Sequence, residues 1–377
     1  MTEAVGHRIN ACELHSHEKA TARLQPIDAN RLPLAKAAYT TRRISLTEAT
    51  TLLDGDLKPE AGDLVLARIE EIRQQTRLEL RTGRRAPLYK GDEIIVCYGH
   101  RYAPDQFEAL VPPDLGPCEL VAAGGIAGQV LSRHESKKPA TQISPCGLLA
   151  NAHGRRINLA DWSLPKVTQP HARPVTVAVV GTSMNAGKTT TLACLTKGFR
   201  RAGCDVGAAK ITGTGGGGDL WAMKDAGANP VADFIDAGFS STFRASQDAI
   251  EGILTTLTGH LANADVDVIL LEVADGLLQR ETAGLLSSLV FRSNVDGVLF
   301  AAGDAMAASA GSAWLRQRRL NVLGLSGTLT ASPLASREAE QATGVPVLAV
   351  KHLSDPNIAT QLLEQLKSST PIPKAVR

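Results

Sequence analysis

The sequence predicts an α/β protein in which a smaller β-rich domain precedes a doubly wound, mostly parallel sheet. After Pro174, buried apolar segments alternate with helical stretches, which is the pattern of parallel strands joined by crossover helices. Before residue 165, short apolar runs recur between turn residues, a pattern typical of β-rich folds. Aromatic residues make up only 4% of the chain. The core must therefore be built from Ala, Val, Leu and Ile, which suits parallel strands covered by helices.

Chain length and the change of pattern predict two domains after an N-terminal arm. With 377 residues, the chain is longer than one compact core usually organises. Residues 1–30 carry no sustained period and are expected to form a mobile arm. Residues 31–165 are expected to form the β-rich, barrel-like domain, and a proline-containing linker leads to an α/β domain over residues 174–377. Its strands are predicted at 175–180, 206–210, 266–271, 297–301, 322–325 and 345–349.

The composition excludes several classes of function. The formal net charge is +2, which argues against a general binder of nucleic acid or of membrane surfaces. No run of 18 or more apolar residues is present, and the N-terminus lacks the apolar core of a signal peptide. We therefore expect a cytoplasmic protein with no nucleic-acid and no membrane partner.

A glycine-rich loop between a buried strand and a helix predicts a phosphate site. The loop follows the Val-rich strand 175–180 and opens a helix predicted over 187–201. In that context backbone N–H groups and the helix N-terminus face an anion. Lys188 would reach the β- and γ-phosphates, and the Thr189 hydroxyl would complete the coordination of Mg²⁺. The predicted nucleotide-binding residues are Gly181, Thr182, Ser183, Met184, Asn185, Ala186, Gly187, Lys188, Thr189 and Thr190.

The spacing of this loop points to a particular branch of nucleotide-binding proteins. Five residues separate its two glycines, whereas four separate them in the common pattern. With this spacing the loop resembles the P-loop of the dethiobiotin synthetase-like branch of P-loop NTPases. It is also similar to that of the DUF1611 group, some members of which are linked to N-acylation of D-glutamate. By motif order the resemblance covers residues 175–350, so residues 174–377 are predicted to form a P-loop nucleotide-binding domain.

Lys210 is predicted to be a second catalytic cation beside Lys188. It ends the second strand of the α/β domain and precedes a glycine-rich segment. In dethiobiotin synthetase-like enzymes a lysine in this place contacts the γ-phosphate and the substrate carboxylate. Such an ammonium would neutralise charge on the transferring phosphoryl group. The residues that follow, where glycine lets backbone amides approach an anion, are the predicted substrate-binding residues: Thr212, Gly213, Thr214 and Gly215.

Two carboxylates are predicted to join Thr189 in binding the metal. Glu272 ends the apolar strand 266–271, and a carboxylate at the carboxyl end of a buried strand beside a phosphate loop suits Mg²⁺. The resembled families use Glu at this point, followed by a glycine that Val273 replaces here. The second carboxylate is Asp219 by its nearness to the glycine run. The sequence leaves three other candidates open: Asp225, Asp233 and Asp236.

The resemblance implies an ATP- and Mg²⁺-dependent enzyme, with GTP as the alternative nucleotide. The segment 326–333 stands where the resembled enzymes hold the base, and it lacks the Asn-Lys-x-Asp motif of GTPases. The leading hypothesis is a homodimer that phosphorylates a carboxylate, carbamate or similar group of a small-molecule substrate, as a ligase or a kinase. Two alternatives stay open. One is a nucleotide-switch protein that assists cofactor or metallocentre assembly, and the other is an N-acyltransferase that binds acyl-CoA.

Overall fold

The computed structural model describes residues 22–167 and 173–369. The first range holds an antiparallel-rich β structure and the second a parallel sheet covered by helices. None of the helices in these two ranges has both the length and the apolar character needed to cross a membrane.

The first range forms a small closed barrel. Strand β12 pairs with β4, β4 with β7, β7 with β11, β11 with β10, and β10 again with β12, so five strands complete a ring. The elements are β1 (Arg23–Pro26), α1 (Arg31–Leu34), β2 (Lys36–Ala37), β3 (Thr51–Asp54), β4 (Leu64–Glu71), β5 (Arg77–Glu79), β6 (Arg85–Pro87), β7 (Glu93–Tyr98), β8 (Arg101–Tyr102), β9 (Phe107–Leu110), β10 (Cys118–Ala122), β11 (Ile126–Arg133) and β12 (Thr141–Ala150).

The predicted N-terminal arm is only partly within the described residues. Residues 1–21 lie outside them. The end of the predicted arm, Arg23–Pro26, forms strand β1 instead. It pairs antiparallel with β3 and so satisfies backbone groups that an open sheet edge would leave unpaired.

The second range contains one six-stranded parallel sheet, in the order β15-β14-β16-β13-β17-β18. Its strands are β13 (Val175–Gly181), β14 (Val206–Lys210), β15 (Val231–Asp233), β16 (Val268–Glu272), β17 (Gly297–Ala301) and β18 (Val322–Ser326). Its helices are α2 (Lys188–Arg201), α3 (Gly218–Asp225), α4 (Gln247–Ala262), α5 (Arg280–Ser287), α6 (Leu289–Asn294), α7 (Ala305–Gln317), α8 (Pro333–Thr343) and α9 (Pro356–Ser369). Chain order and strand order differ as in a doubly wound sheet, which confirms the predicted fold class.

The strand predicted at 345–349 is wrong. Val347 forms a single bridge to Leu325, and a short 3₁₀ helix follows at Val350–His352. Pro346 explains the difference, because it has no N–H to donate to a ladder and restricts its neighbours.

The barrel packs directly on the parallel-sheet domain. Strand β4 is buried on both faces: Val65 and Ala67 pack in the barrel core, whereas Leu64 packs in a core that continues to Phe234 and Leu271. This explains why β4 and β7 read as continuous apolar runs, since a strand with one solvent-facing side would alternate apolar and polar residues.

Candidate functional site

The phosphate loop lies at the carboxyl edge of the parallel sheet, between β13 and α2. The Thr182 N–H donates to the Ala301 carbonyl at 3.0 Å, which ties the start of the loop to the end of β17. Gly187 has a φ of 95°, and a Cβ at this position would lie 3.1 Å from the Thr328 nitrogen, so the position requires glycine. The first N–H groups of α2 have no intrahelical acceptor. The loop thus has the geometry of a P-loop.

Lys188 is buried against this loop. The residue is only 6% exposed, and its Nζ donates to the Ser183 carbonyl at 2.8 Å. Burial lowers the pKa of Lys188, and the nearby Glu272 carboxylate opposes the shift. Gly181 leaves room for the lysine stem, because a Cβ there would lie 2.8 Å from Lys188 Cγ.

A cavity of about 390 Å³ opens beside the loop. The sheet order explains its contents, because β14 and β16 are neighbours and β16 is next to β13, so the ends of all three strands meet at one edge. Predicted residues that line the cavity are Met184, Asn185, Gly187, Lys188, Thr189, Thr190, Lys210, Asp219 and Glu272.

Thr189 stands between two carboxylates. Its hydroxyl oxygen lies 2.8 Å from Asp219 Oδ1 and 3.1 Å from Glu272 Oε1. A hydroxyl has one hydrogen, so it can donate to only one of these oxygens at a time. Glu272 Oε2 is buried and has no hydrogen-bond partner within the described residues. The three side chains therefore present oxygen atoms that protein donors do not fully satisfy.

Lys210 balances part of this negative charge. It is the register partner of Glu272 across β14 and β16, and its Nζ donates to Asp219 Oδ2. Burial alone would lower the pKa of Lys210, but the Asp219 and Glu272 charges outweigh it and raise the pKa above the ordinary value. For Asp219, burial favours the neutral acid, yet Lys210 lowers the net pKa.

Glu272 titrates near neutrality. Burial, followed by the nearby Asp219 charge, raises its pKa to about 7, against the opposing effect of Lys210. Its strand-terminal position at the bottom of the cavity accounts for the burial. Near pH 7 the group therefore exchanges between the neutral acid and the carboxylate.

Only part of the predicted substrate segment faces open space. Gly213 and Thr214 line a second cavity of about 10 Å³, which shares Ala274 and Asp275 with the larger one. The Thr212 hydroxyl instead donates to the Ala274 carbonyl.

The glycine run packs against the barrel. The Gly215 N–H donates to the Ser240 carbonyl at 2.9 Å, and a Cβ on Gly124 of the barrel would lie 2.2 Å from the Gly215 carbonyl oxygen. A Cβ on Gly217 would lie 2.5 Å from Glu79 Oε1. Glycine in this run thus permits close approach between the domains, a different use from the predicted approach to an anion.

The structure separates the four aspartates that the sequence left open. Asp219 alone among them lines the cavity. Asp233 accepts from Arg42 Nη2 at 2.8 Å and from Tyr39 Oη at 2.7 Å, and Asp236 accepts from the same Arg42 nitrogen at 2.5 Å, so both serve the contact between the domains. Asp225 is exposed at the end of α3.

Several residues at the site were not predicted from the sequence. One is Asp275, which lines the larger cavity together with Thr328 of the predicted base segment 326–333. From the barrel, Tyr102 lines the smaller cavity, and Asp105 Oδ2 accepts from Asn185 Nδ2 at 3.0 Å. The Asp275-Gly276 pair after β16 was a usable signal, whereas a contact that depends on domain packing has none in the local sequence.

Replacing Glu272 by glutamine is expected to raise the stability of the protein without nucleotide above pH 7. Between the ordinary pKa of 4.5 and the folded value of about 7, the folded chain keeps a proton that the unfolded chain has released. The free energy of unfolding therefore decreases as pH rises through that window. Glu272→Gln abolishes this decrease, because glutamine does not titrate. We expect a gain on the order of 1–3 kcal/mol at pH 8. Chemical denaturation of both proteins at pH 5 and pH 8 measures it.

The same variant is expected to bind Mg²⁺ at least about tenfold more weakly in the presence of nucleotide, because it loses a ligand charge. The exposed Glu338→Gln in α8 is the matched control. Equal pH dependence of unfolding in Glu272→Gln and the wild type would contradict the titration assigned to this group.

The second range of the chain combines a doubly wound parallel sheet with a loop of P-loop geometry between β13 and α2. No family model matches the chain, and no curated protein matches its sequence. Solved structures similar to it include the 54 kDa signal recognition particle protein of Aeropyrum pernix K1 in complex with GDP, at 17% identity and a TM-score of 0.35 over 56% of this chain and 54% of that one. The signal recognition particle receptor FtsY of Elizabethkingia anophelis in complex with GDP is 16% identical, with a TM-score of 0.35 over 55% and 68%. FtsY of Thermotoga maritima is 18% identical, with a TM-score of 0.34 over 54% and 74%.

The chain thus spans about half the length of the first of these structures. Similarity at this level carries no argument about activity.

Proposed function

We propose that this chain binds ATP with Mg²⁺ and transfers the terminal phosphoryl group to a carboxylate-type group of a small metabolite. The observation that carries the proposal is the placement of the Thr189 hydroxyl between Asp219 and Glu272, beside two buried lysines. Oxygen ligands near the first turn of a P-loop helix, with cations beside them, match what a Mg²⁺–triphosphate requires.

The side chains present fit Mg²⁺. Glu272 Oε2 is buried and without a hydrogen-bond partner among the described residues, and Thr189 can satisfy only one of its two carboxylate neighbours. In residues 22–167 and 173–369, no group of three or more His, Cys, Asp or Glu side chains is arranged to hold a metal. Mg²⁺ suits such a sparse site because it keeps several waters and takes phosphate oxygens as ligands. Bound there, the ion would neutralise charge on the β- and γ-phosphates.

The two lysines have distinct tasks in this proposal. Lys188 would exchange the Ser183 carbonyl for phosphate oxygens, since an ammonium is attracted more strongly to a charged acceptor than to a neutral one. Lys210, at the end of β14, is held by Asp219 of α3 and would face the transferring group from that side. Catalysis would then consist of positioning and charge neutralisation.

The loop after β18 is the proposed neighbour of the nucleotide. Thr328 lines the larger cavity, and its N–H donates to the Ala186 carbonyl at 3.0 Å, which fixes this loop against the P-loop. The choice of ATP over GTP follows the resemblance to dethiobiotin synthetase-like enzymes and the absence of the Asn-Lys-x-Asp motif from the sequence.

The size of the second cavity favours a nucleotide switch as the second candidate function. At about 10 Å³, the space between Gly213, Tyr102 and Asp275 holds no more than about one water. A metabolite would have to share the larger cavity with the phosphates or displace the loop at Gly213. A switch protein needs no such space, because hydrolysis consumes only water.

Following the γ-phosphate of labelled ATP separates these functions. We expect [γ-³²P]ATP, Mg²⁺ and a small-molecule filtrate of cell extract to give a labelled product. Hydroxylamine should convert this product to an unlabelled hydroxamate and labelled phosphate, the reaction of an acyl phosphate. Release of free phosphate at the same rate with and without the filtrate would favour the nucleotide-switch function. Transfer of label from [¹⁴C]acetyl-CoA without consumption of ATP would overturn both in favour of the acyltransferase. Lys188→Ala is the control for contaminating activity.

A further inference from the structure

A separate cavity of about 510 Å³ lies at the opposite edge of the parallel sheet from the phosphate loop. Among the residues that line it, Asp296 directly precedes β17, Asn321 directly precedes β18, and Arg173 lies just before β13. The P-loop instead follows the carboxyl end of β13. The strands between the two edges place roughly 15 Å between them. The volume of this cavity is in the range of small-molecule sites.

Three arginines line this cavity, and only one of them is paired with a carboxylate. Arg173 donates from Nη1 and Nη2 to the two Asp296 oxygens, at 2.7 and 2.6 Å. Arg292 Nη1 reaches the Arg318 carbonyl at 3.4 Å, which is long for a hydrogen bond. Among the described residues, no carboxylate pairs with Arg292 or Arg319. Three arginines against one aspartate leave the lining with a net charge of +2.

The remaining lining of the cavity is largely apolar. Leu320 and Leu366 are buried residues that line it, and Val295 and Val298 line it as well. Guanidinium groups without an anionic partner therefore stand beside an apolar wall. A ligand that satisfies both features carries a negative charge on one part and apolar atoms on another.

Arg319 occupies a backbone position at which glycine is usual. Its φ is 58°, in the left-handed region. The Arg319 N–H donates to the Arg316 carbonyl at 2.8 Å, and the Leu320 N–H donates to the Leu315 carbonyl at 3.2 Å. These two bonds form the Schellman motif at the end of α7, in which the left-handed residue is most often glycine.

Two other helices of the same domain end in this motif with glycine in the corresponding place. Gly203, with a φ of 85°, follows α2, and Gly227, with a φ of 103°, follows α3. Both ends have the same pair of hydrogen bonds as the end of α7. A side chain in this conformation is unfavourable for the backbone. The long cationic side chain of Arg319 is therefore retained at a conformational cost, at the rim of a cavity that carries positive charge.

We propose that this cavity binds a small organic dianion at a site distinct from the phosphate loop. The guanidinium groups of Arg292 and Arg319 would hold the charged part, a phosphate or a pair of carboxylates, through charge-assisted hydrogen bonds. The apolar part would pack against Leu320 and Leu366. The inference does not depend on the proposed function, because none of the residues that line this cavity lines the nucleotide cavity.

Calorimetric titration at low ionic strength with phenyl phosphate, and separately with phthalate, tests the site. We expect at least one of these dianions to bind the wild-type protein, and the tighter of the two identifies the preferred charged group. Inorganic phosphate should bind more weakly than phenyl phosphate, because it lacks the apolar part. Arg319→Gly and Arg292→Met should each weaken binding of the preferred probe about tenfold or more, the loss of a charge-assisted hydrogen bond.

The melting temperature separates this role from a structural one. Arg319→Gly should melt at or above the temperature of the wild type, because glycine is favoured at the left-handed position of the motif. Arg316→Met is the matched control for the loss of one positive charge, since Arg316 is exposed on α7, does not line the cavity and donates to the Thr343 carbonyl. It should leave the affinity for the probe within about twofold of the wild type.

Lys188→Ala distinguishes this cavity from the phosphate loop, and probe binding should be the same in this variant as in the wild type. Binding lost in Lys188→Ala would place the probe in the P-loop and overturn the second site. Affinity unchanged in both Arg319→Gly and Arg292→Met, or no binding of either probe to the wild type, would overturn it too. The proposed function is judged separately, by ATP binding to the wild-type protein.

Discussion

Lys188→Ala is expected to abolish turnover while the protein stays folded. The ammonium is buried against the Ser183 carbonyl in the P-loop, where it would face the β- and γ-phosphates. Its removal takes away a charge-assisted hydrogen bond in a water-poor site, so we expect kcat/KM to fall by about 100-fold or more and ATP affinity by roughly 10- to 100-fold. Folding should survive, because burial already disfavours this charge and alanine is a good helix residue.

Calorimetry with ATP and Mg²⁺, together with steady-state rates, measures both effects. Lys197→Ala is the matched control, because Lys197 is an exposed lysine on the same helix, α2. Equal affinity and activity in Lys188→Ala and the wild type would remove the phosphate site from this loop.

Lys210→Ala is expected to lower kcat strongly with little change in nucleotide affinity. Lys210 ends β14 beside Glu272 and donates to Asp219, so it reaches the cavity from the strand on the far side of β16 from the P-loop. A cation that acts on charge developed during transfer contributes mainly in the transition state. We expect kcat to fall by about 100-fold or more. Lys210→Arg should be impaired as well, since a planar fork does not replace a compact ammonium in a tight site.

The rate of product formation and the basal rate of ATP hydrolysis should be measured together for this variant. In a phosphoryl-transfer enzyme both fall, whereas in a switch protein basal hydrolysis survives. Lys224→Ala in α3 provides the control, because Lys224 lies over the Trp221 ring and is exposed. If both rates are unchanged in Lys210→Ala, the proposed catalytic role of Lys210 is wrong.

The sequence was most informative where local pattern and structure depend on the same short-range physics. Strands β14 and β17 have the predicted bounds, because a fully buried parallel strand is a short apolar run between turn residues. The P-loop followed from glycine positions and the strand before it. Lys210 and Glu272 meet in the structure because both end neighbouring parallel strands, a consequence that strand ends and fold class together predict.

What the sequence could not supply came from packing between the domains. The sequence left Asp233 open as a candidate metal ligand, whereas in the structure it pairs with Arg42 and Tyr39, which are nearly 200 positions away in the chain. The glycines from 215 to 217 suggested an anion site, but the partners that require them are Ser240 within their own domain and Glu79 of the barrel.

The most direct test of the central claim is calorimetric titration of the wild-type protein with ATP, once with Mg²⁺ and once with EDTA. The Thr189, Asp219 and Glu272 oxygens that bracket the cavity predict one binding site per chain and an affinity at least about tenfold higher with Mg²⁺. Absence of binding to ATP and GTP alike, or an affinity that Mg²⁺ does not change, would contradict a nucleotide·Mg²⁺ site in this loop.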